Sequence, residues 1–504
     1  MKVLFLYPNL QLMQVVPPGL LTLSAYLKKH GIETDIFDTT FYKIAPKSSD
    51  EERIDSCQVR PFNFEEGGIK YKETNILNDF QKKIDDFRPD ILAITSNDFT
   101  HNIAKDLIRG IKEKYPNLFV ISGGIFTTFF PDYVINIKDI DAICIGEGYG
   151  ALLELCQKLD KKQDISNIKN LWVKTNGNII KNSMRKPISV LEIPVDDYEL
   201  FDEKRYYRPM QGKMLKMVPI WIDLGCPYNC SYCVAPGIRN LYKERGYNYC
   251  RIKPVDIIMD DLCNAQIEVN PDYIYFSTET FFARSKSHII DFAERYKKEI
   301  NLPFWCESRV GTITEENCKI LKEMNCDRIS IGLESGNENY RMNVLKKKFT
   351  NEEFLKSIEM LDKYGINATI NTIIGLPDET REMIFDSINL NRIALENKKI
   401  DVTITVSTYV PCGGTELREY CLTKGYFKDD EYLKMKNTSF HKGAFLTQPS
   451  ISQEEVKGLL KTFPLYVKML KGHWDDIKNA EQLDNQGEFL YKELRSIYWK
   501  EYFK

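Results

Sequence analysis

Gly225-Cys226-Pro227-Tyr228-Asn229-Cys230-Ser231-Tyr232-Cys233 follows directly on the apolar run Val218 to Leu224. Three cysteines in the order C-x3-C-x2-C therefore stand at the exit of a predicted strand. A loop this short can turn three thiolates toward one point, and Gly225, Asn229 and Ser231 let the backbone wrap it. A four-iron cube held by Cys226, Cys230 and Cys233 keeps one iron open to an outside ligand. Structural zinc is the rival reading, but it takes four closed ligands, usually as two Cys or His pairs. No second pair follows: the nearest further thiol, Cys250, has no Cys or His beside it.

Downstream, strands are read at Val218 to Leu224, Tyr273 to Ser277, Pro303 to Cys306, Arg328 to Ile331, Ala368 to Ile373 and Val402 to Ser407, each but the last followed by a helical pattern. Such repeats predict a partial (β/α)6 TIM barrel over residues 201–415, with its site at the carboxyl ends of the strands. Those ends carry Ser277-Thr278-Glu279, Glu307-Ser308-Arg309, Gly332-Leu333-Glu334-Ser335-Gly336 and the turn at Gly375. A hydroxyl or carboxylate there can bind ribose, and a guanidinium can pair with a carboxylate. Asp378 and Glu379 read as a helix start. The last strand runs into Val410-Pro411-Cys412-Gly413-Gly414-Thr415, where Cys412 is either a hydrogen-atom donor to a substrate radical or a small buried residue.

Upstream, residues 1–200 alternate short apolar runs (Val3 to Tyr7, Thr34 to Phe37, Ile91 to Thr95, Phe119 to Ser122, Ala142 to Ile145) with amphipathic stretches at Leu20 to His30, Asn102 to Lys114 and Asp132 to Ile137. This predicts a doubly wound, Rossmann-like parallel sheet with a ligand crevice beyond its strand ends. Pro8, Asn9, Ser96, Thr100, Gly123, Gly124, Thr127, Gly146, Glu147 and Gly148 fall at those ends. They offer hydrogen bonds and close backbone approach to a bulky ligand, or else are merely tight strand-to-helix turns. Residues 41 to 68 read as an excursion forming a loop or lid over the ligand edge. Leu171 to Ile180 reads as a hairpin and Ile188 to Phe201 as a linker.

The cysteine spacing and these strand ends resemble the radical S-adenosylmethionine superfamily. The first domain resembles the cobalamin-binding domain that precedes many of its barrels, through Pro17-Pro18-Gly19-Leu20-Leu21-Thr22-Leu23, Ser122-Gly123-Gly124 and Ile140 to Gly148. The resemblance implies a [4Fe-4S] cluster whose open iron chelates S-adenosylmethionine, and a 5′-deoxyadenosyl radical released on one-electron reduction. It places Ser277, Thr278 and Glu279 at the methionine amino group, Ser308 and Arg309 at ribose and carboxylate, Glu334 and Ser335 in a Glu-Ser-Gly turn, and Tyr232 and Gly375 beside adenine. The ten loop residues of the first domain become cobalamin contacts. The Asp-x-His-x-x-Gly signature of classical cobalamin domains is absent, so cobalt is expected without a His ligand. Only His101, of five histidines, lies near a crevice loop, and a solvent-facing helix start is its expected role.

The 504 residues suggest about three domains. Their formal charge of −3 gives no electrostatic case for a nucleic-acid partner. Thirteen cysteines point to a reducing cytoplasm, Met1 to Tyr7 reads as a buried strand rather than an export signal, and no stretch reads as a membrane span. An oxygen-labile cofactor suits an anaerobic cell. Residues 416–504 read as helices at Ser452 to Leu470, Trp474 to Leu483 and Glu488 to Tyr502, expected to cap the barrel mouth. If they line the substrate cavity, Phe463, Tyr466 and Trp474 suggest an apolar or ring-bearing substrate. The expected function is methylation of an unactivated carbon of a small molecule, with an external reductant such as flavodoxin or ferredoxin. The alternatives are cyclisation, rearrangement or oxidation with the same cofactors, and a non-catalytic cobalamin or cluster sensor.

Overall fold

The computed structural model describes residues 1–436 and 439–502, so residues 437, 438, 503 and 504 of the expected carboxyl-terminal region lie outside it. The first sheet contains β1 (Lys2–Tyr7), β2 (Glu33–Asp38), β3 (Ile91–Thr95), β4 (Phe119–Gly123), β5 (Ala142–Cys144), β6 (Leu171–Thr175) and β7 (Asn178–Lys181). Their order is β2-β1-β3-β4-β5-β6-β7, parallel as far as β5. Both faces of β1 are covered, so it reads as a continuous apolar run: Val3 and Phe5 face one core, Leu4 and Leu6 the other. Strand order reverses between β1 and β3, which opens a crevice beyond their carboxyl ends.

The second sheet holds β8 (Tyr207–Met210) and β9 (Lys213–Trp221). After a short ribbon of β10 (Asp223–Leu224) and β11 (Arg251–Ile252) come β12 (Tyr273–Ser277), β13 (Phe304–Ser308), β14 (Cys326–Glu334), β15 (Asn367–Ile374) and β16 (Val402–Thr408). Six neighbouring strands from β9 to β16 run parallel, and β8 adds an antiparallel edge. The β8–β9 hairpin lies ahead of the expected first strand and turns at Gln211-Gly212, with φ of 51° and 79°. The curled sheet stays open between β8 and β16.

The excursion after β2 is not a lid over its own sheet; it fills that opening. Its helix Ser49–Asp55 begins with a capping box between Ser48 and Glu51. The following Gln58 accepts a hydrogen bond from the Val406 N–H on β16 at 3.0 Å. At the other edge, the turn Phe64–Gly67 packs on β8 and β9, where a Cβ on Gly67 would stand 3.2 Å from Tyr207 Cβ. The expected linker is a packed strap, with Val190, Ile193, Tyr198, Leu200 and Phe201 buried.

The carboxyl-terminal helices correct a second expectation. Gln453–Lys468 packs along the barrel's flank against helix Arg381–Leu395 and β16, with Trp474–Ala480 and Asn485–Ile497 stacked on it, and only its first turn reaches the strand ends, where Val456 meets Gly375. Phe463 and Tyr466 are buried there, with Tyr466 and Trp474 in edge contact with each other and with Phe385. Among the described residues no helix is long and apolar enough to cross a membrane.

Candidate active site

The cysteine loop is fixed from several sides before any ligand is considered. Gly225 has φ +82°, and a Cβ there would meet Tyr249 at 2.9 Å and the Cys250 thiol at 3.1 Å, so the entry to the loop requires glycine. Arg239, on helix Val234–Lys243, donates to the carbonyls of Cys226 and Tyr228 and to Asn229 Oδ1. Ser231 Oγ donates to the Val344 carbonyl at 2.7 Å. Cys233 caps the same helix and accepts from the Ala235 N–H at 3.5 Å. Arg309 Nη1 lies 3.3 Å from Cys230 Sγ, with its guanidinium 3.8 Å above the Tyr228 ring. Burial raises the pKa of Cys226 and pushes that of Cys233 up to about 12, so both are held as thiols and lose their protons as they ligate iron. Among the described residues no three His, Cys, Asp or Glu are placed to hold one metal ion. A cube, in contrast, offers a separate iron to each thiolate. The donor set thus fits the cluster.

Facing this loop is a cavity of about 330 Å³ lined by Ser277, Thr278 and Glu279 from the end of β12 and by Glu307 from β13. Thr278 donates to Asp223, which also pairs with Arg284 at 2.6 Å, so its hydroxyl is engaged in holding the loop. Glu279 opens into the cavity as an exposed side chain, with no hydrogen bond or ion-pair partner for its carboxylate among the described residues; desolvation by the surrounding walls, then the Asp223 carboxylate, push its pKa up. An ammonium group would satisfy it. Glu307, bonded by the Tyr275 hydroxyl at 3.2 Å, is pushed up to about 7 chiefly by burial.

On the far side Tyr232 donates to Glu334 at 2.9 Å, and Lys347 reaches the same carboxylate oxygen at 2.7 Å and the Tyr232 hydroxyl at 3.3 Å. Glu334 sits at a bulge in β14 with φ +64°, strained for a non-glycine residue. Lys347 is absent from the sequence reading, because Lys346-Lys347-Lys348 looks like an exposed charge run.

Several strand-end residues are placed differently from expectation. The Ser308 hydroxyl turns to Thr312 at 2.6 Å, and Ser335 is fully buried, accepting from the Asn337 N–H at 3.3 Å. The open face of Gly375 is not left for adenine: Val456 fills it at 3.0 Å, and its N–H donates to Glu379 at 2.7 Å. Glu379 is no helix start; it is wholly buried, its pKa pushed up to about 8, while Thr380 caps the helix. Asp378 takes the hydroxyls of Tyr420 and Tyr426.

The first domain's crevice, about 460 Å³, opens toward the same mouth. Ser96, Thr100, Gly123, Gly124, Gly146, Glu147 and Gly148 line it as expected, with apolar walls from Leu20, Leu23 and Leu152. Pro8, Asn9 and Thr127 do not. Asn9 binds the Met13 carbonyl and the Thr40 hydroxyl, and Thr127 pairs with the Ser122 hydroxyl at 2.8 Å. Glu147 reaches the crevice, but its carboxylate is held by Arg251 and the Ile188 N–H, joining the domain to the barrel. The positive φ of Gly146 answers to Tyr242 of the barrel, whose hydroxyl would lie 2.4 Å from a Cβ. His101 is neither solvent-facing nor aimed into the crevice. It is buried against Phe126, with its ring nitrogens on the carbonyls of Asp98 and Leu433. Broad apolar walls, bare glycine backbone and no lining histidine fit a corrin held without a His ligand.

Crevice and mouth cavity share Gly19, Tyr149, Leu224 and Tyr249 as walls. Cys412 lies between the domains, with Gly413 and Gly414 pressed against Phe129 and Phe130 so closely that a Cβ on either would collide. Gly413 N–H and the Tyr432 hydroxyl both donate to Asp98, at 3.2 and 2.5 Å. Burial, then the Asp98 carboxylate, hold the Cys412 thiol protonated.

A model of the radical SAM superfamily matches residues 224–390, and one of the B12-binding domain matches residues 12–156. An uncharacterised methyltransferase of Pyrococcus horikoshii is 30% identical over 356 residues, which is 69% of this chain and 72% of that protein. The anaerobic magnesium-protoporphyrin IX monomethyl ester cyclase of Rubrivivax gelatinosus is 23% identical over 329 residues, 63% of this chain and 57% of its own. The solved structure of the cobalamin-dependent S-adenosylmethionine radical enzyme OxsB shares the fold, with a TM-score of 0.66 at 15% identity over 98% of this chain and 71% of that one.

Proposed function

The chain belongs to the radical S-adenosylmethionine enzymes that carry a cobalamin-binding domain, and from that premise we propose that it methylates an unactivated carbon of a small molecule. The observation that carries this reading is the shared wall: the cavity in front of the cysteine loop and the crevice of the first domain meet at Gly19, Tyr149, Leu224 and Tyr249. When bound, the cluster supplies the electron that cleaves S-adenosylmethionine and the cobalamin supplies the methyl carrier.

The protein's own work is to hold and to shield. Cys226, Cys230 and Cys233 would hold the cube, with Arg309 and the helix at Val234 offsetting its negative charge. Glu279 would orient the methionine ammonium, and Ser277 and Thr278 shape the rest of that end. Tyr232, fixed by Glu334 and Lys347, would neighbour the nucleoside. Ser308, Ser335 and Gly375 would support the turns rather than touch the ligand. Tyr149 and Tyr249 wall both cavities where they meet. A flavodoxin or ferredoxin is the fitting one-electron donor, and a cytoplasmic, anaerobic setting suits the cofactors.

With methyl-labelled S-adenosylmethionine and a reductant, label is expected in a small-molecule product together with 5′-deoxyadenosine. The likeness to the cyclase supports a second reading, radical chemistry without methylation. 5′-Deoxyadenosine with no label beyond S-adenosylmethionine would favour that one. Cys412, held as a thiol between the two domains, remains the candidate hydrogen-atom donor although it lines neither cavity. Its replacement by Ala is expected to lower product yield several-fold, and unchanged turnover would remove that role.

A further inference from the structure

The inside of the barrel is a third cavity, about 450 Å³, that the cofactors do not claim. In complete barrels this space is packed with bulky branched side chains. Here the inward positions of β14 to β16 alternate to give Ser330, Thr369, Asn371, Thr403, Thr405 and Ser407. A wall of hydroxyl and amide groups is built to meet a polar molecule.

The opposite wall carries a cation without a counter-ion. Arg208 on β8 lies over the stacked rings of Tyr275 and Trp305, 5.3 and 5.6 Å from their centroids. Its hydrogen-bond partner is the Met217 sulfur at 3.5 Å, and no carboxylate lies within ion-pair distance of it among the described residues. The cavity's other charges are engaged. Arg53 pairs with Asp50 at 3.2 Å, Arg328 with Asp401, and Glu307 with the Tyr275 hydroxyl. A guanidinium in such surroundings calls for an anion, and its planar fork suits a phosphate or a carboxylate.

A second observation points the same way. Gln14, only 3% exposed, lines this cavity with both its amide oxygen and its amide nitrogen unpartnered. Buried polar atoms without partners are rare, since each costs about 1–3 kcal/mol, and a bound molecule that completes them explains the exception. The loop bearing Gln14 is held on both sides, because Arg205 takes the carbonyls of Met13 and Val15. Glu307 lines both this cavity and the one before the cysteine loop, so a molecule seated in the barrel extends toward the radical's source.

We propose that the barrel interior is the substrate cavity, and that it takes a small hydrophilic anion whose phosphate or carboxylate pairs with Arg208 while its hydroxyl or amide groups meet Gln14 and the wall of β14 to β16. This rests on the reading of the mouth as the S-adenosylmethionine site. It replaces the expectation of an apolar substrate drawn from Phe463, Tyr466 and Trp474, which lie in the flanking helices.

Equilibrium binding of glycerol 3-phosphate, glycerate and glycerol to the anaerobically reconstituted full chain, at constant ionic strength, tests it. At least one of the two anions is expected to bind saturably and glycerol not, and which anion binds separates phosphate from carboxylate. Arg208→Met is expected to weaken that binding at least tenfold, Arg208→Lys less, and Gln14→Leu several-fold. Saturable binding of neither anion, glycerol bound as well as they are, or equal affinity in wild type and Arg208→Met would overturn the proposal. Should Arg208→Met fail to fold, Gln14→Leu decides by the same comparison. Because this readout needs no turnover, anion binding lost in Arg208→Met alongside a wild type that never cleaves S-adenosylmethionine would leave the cavity standing and sink the catalytic reading. Labelled methyl transfer with Arg208-independent binding would do the reverse.

Discussion

Replacing Cys226, Cys230 and Cys233 together by Ala is expected to abolish iron loading and to bring 5′-deoxyadenosine formation down to background, while the fold survives. Of the three thiols only Cys230 is buried; Cys226 and Cys233 are partly exposed, and the loop's shape rests on Arg239, Ser231 and Gly225 instead. Losing the three thiols should cost modest stability, because only one of them, Cys230, leaves a buried position. The catalytic loss should be total, since no other group of described Cys, His, Asp or Glu residues is placed to take a metal ion. Single variants should retain partial iron and no cleavage. A triple variant that bound iron stoichiometrically and cleaved S-adenosylmethionine would remove the cysteine loop from the chemistry.

Arg205→Met is expected to act in the opposite way, on stability first. Arg205 is 0% exposed, paired with Asp38 at the end of β2 and donating to the carbonyls of Met13 and Val15. Met is close to it in volume but leaves the Asp38 carboxylate largely buried, supported among the described residues only by Thr40. Breaking a buried pair from one side costs about 3–5 kcal/mol, more than removing both partners. Chemical denaturation should therefore find the single variant much less stable and Arg205→Met/Asp38→Asn partly restored. Equal midpoints for wild type and single variant would show that the pair carries no such weight.

Much of this architecture is legible in the residues because its signals are local. The C-x3-C-x2-C spacing, the apolar runs of β1, β3 and β12, and the Asn176-Gly177 turn between β6 and β7 each depend on a few neighbouring positions. What escapes is partnership over long separations. Ser48 to Glu52 reads as a polar break, yet it starts a capped helix whose chain then spans the gap between β16 and β8. Helical periodicity marks the buried face of Gln453–Lys468 but not what covers it, so the flank of the barrel was not distinguishable from its mouth. Glu147 and Gly146 look like ligand residues from position alone, and only the approach of Arg251 and Tyr242 gives them a structural task. Lys347 belongs to a charged run in sequence and to the interior in space, and Arg208 is a lone cation among Tyr207, Pro209 and Met210 whose place inside the barrel no local pattern marks.

The account stands on one cavity system that serves a cluster and a corrin together. The most direct measurement is the cofactor content and absorption spectrum of the anaerobically reconstituted chain, with and without added cobalamin. About four irons and one tightly held cobalamin per chain are predicted, with the cobalt free of histidine ligation. A chain that loads its iron but retains no cobalamin would contradict it.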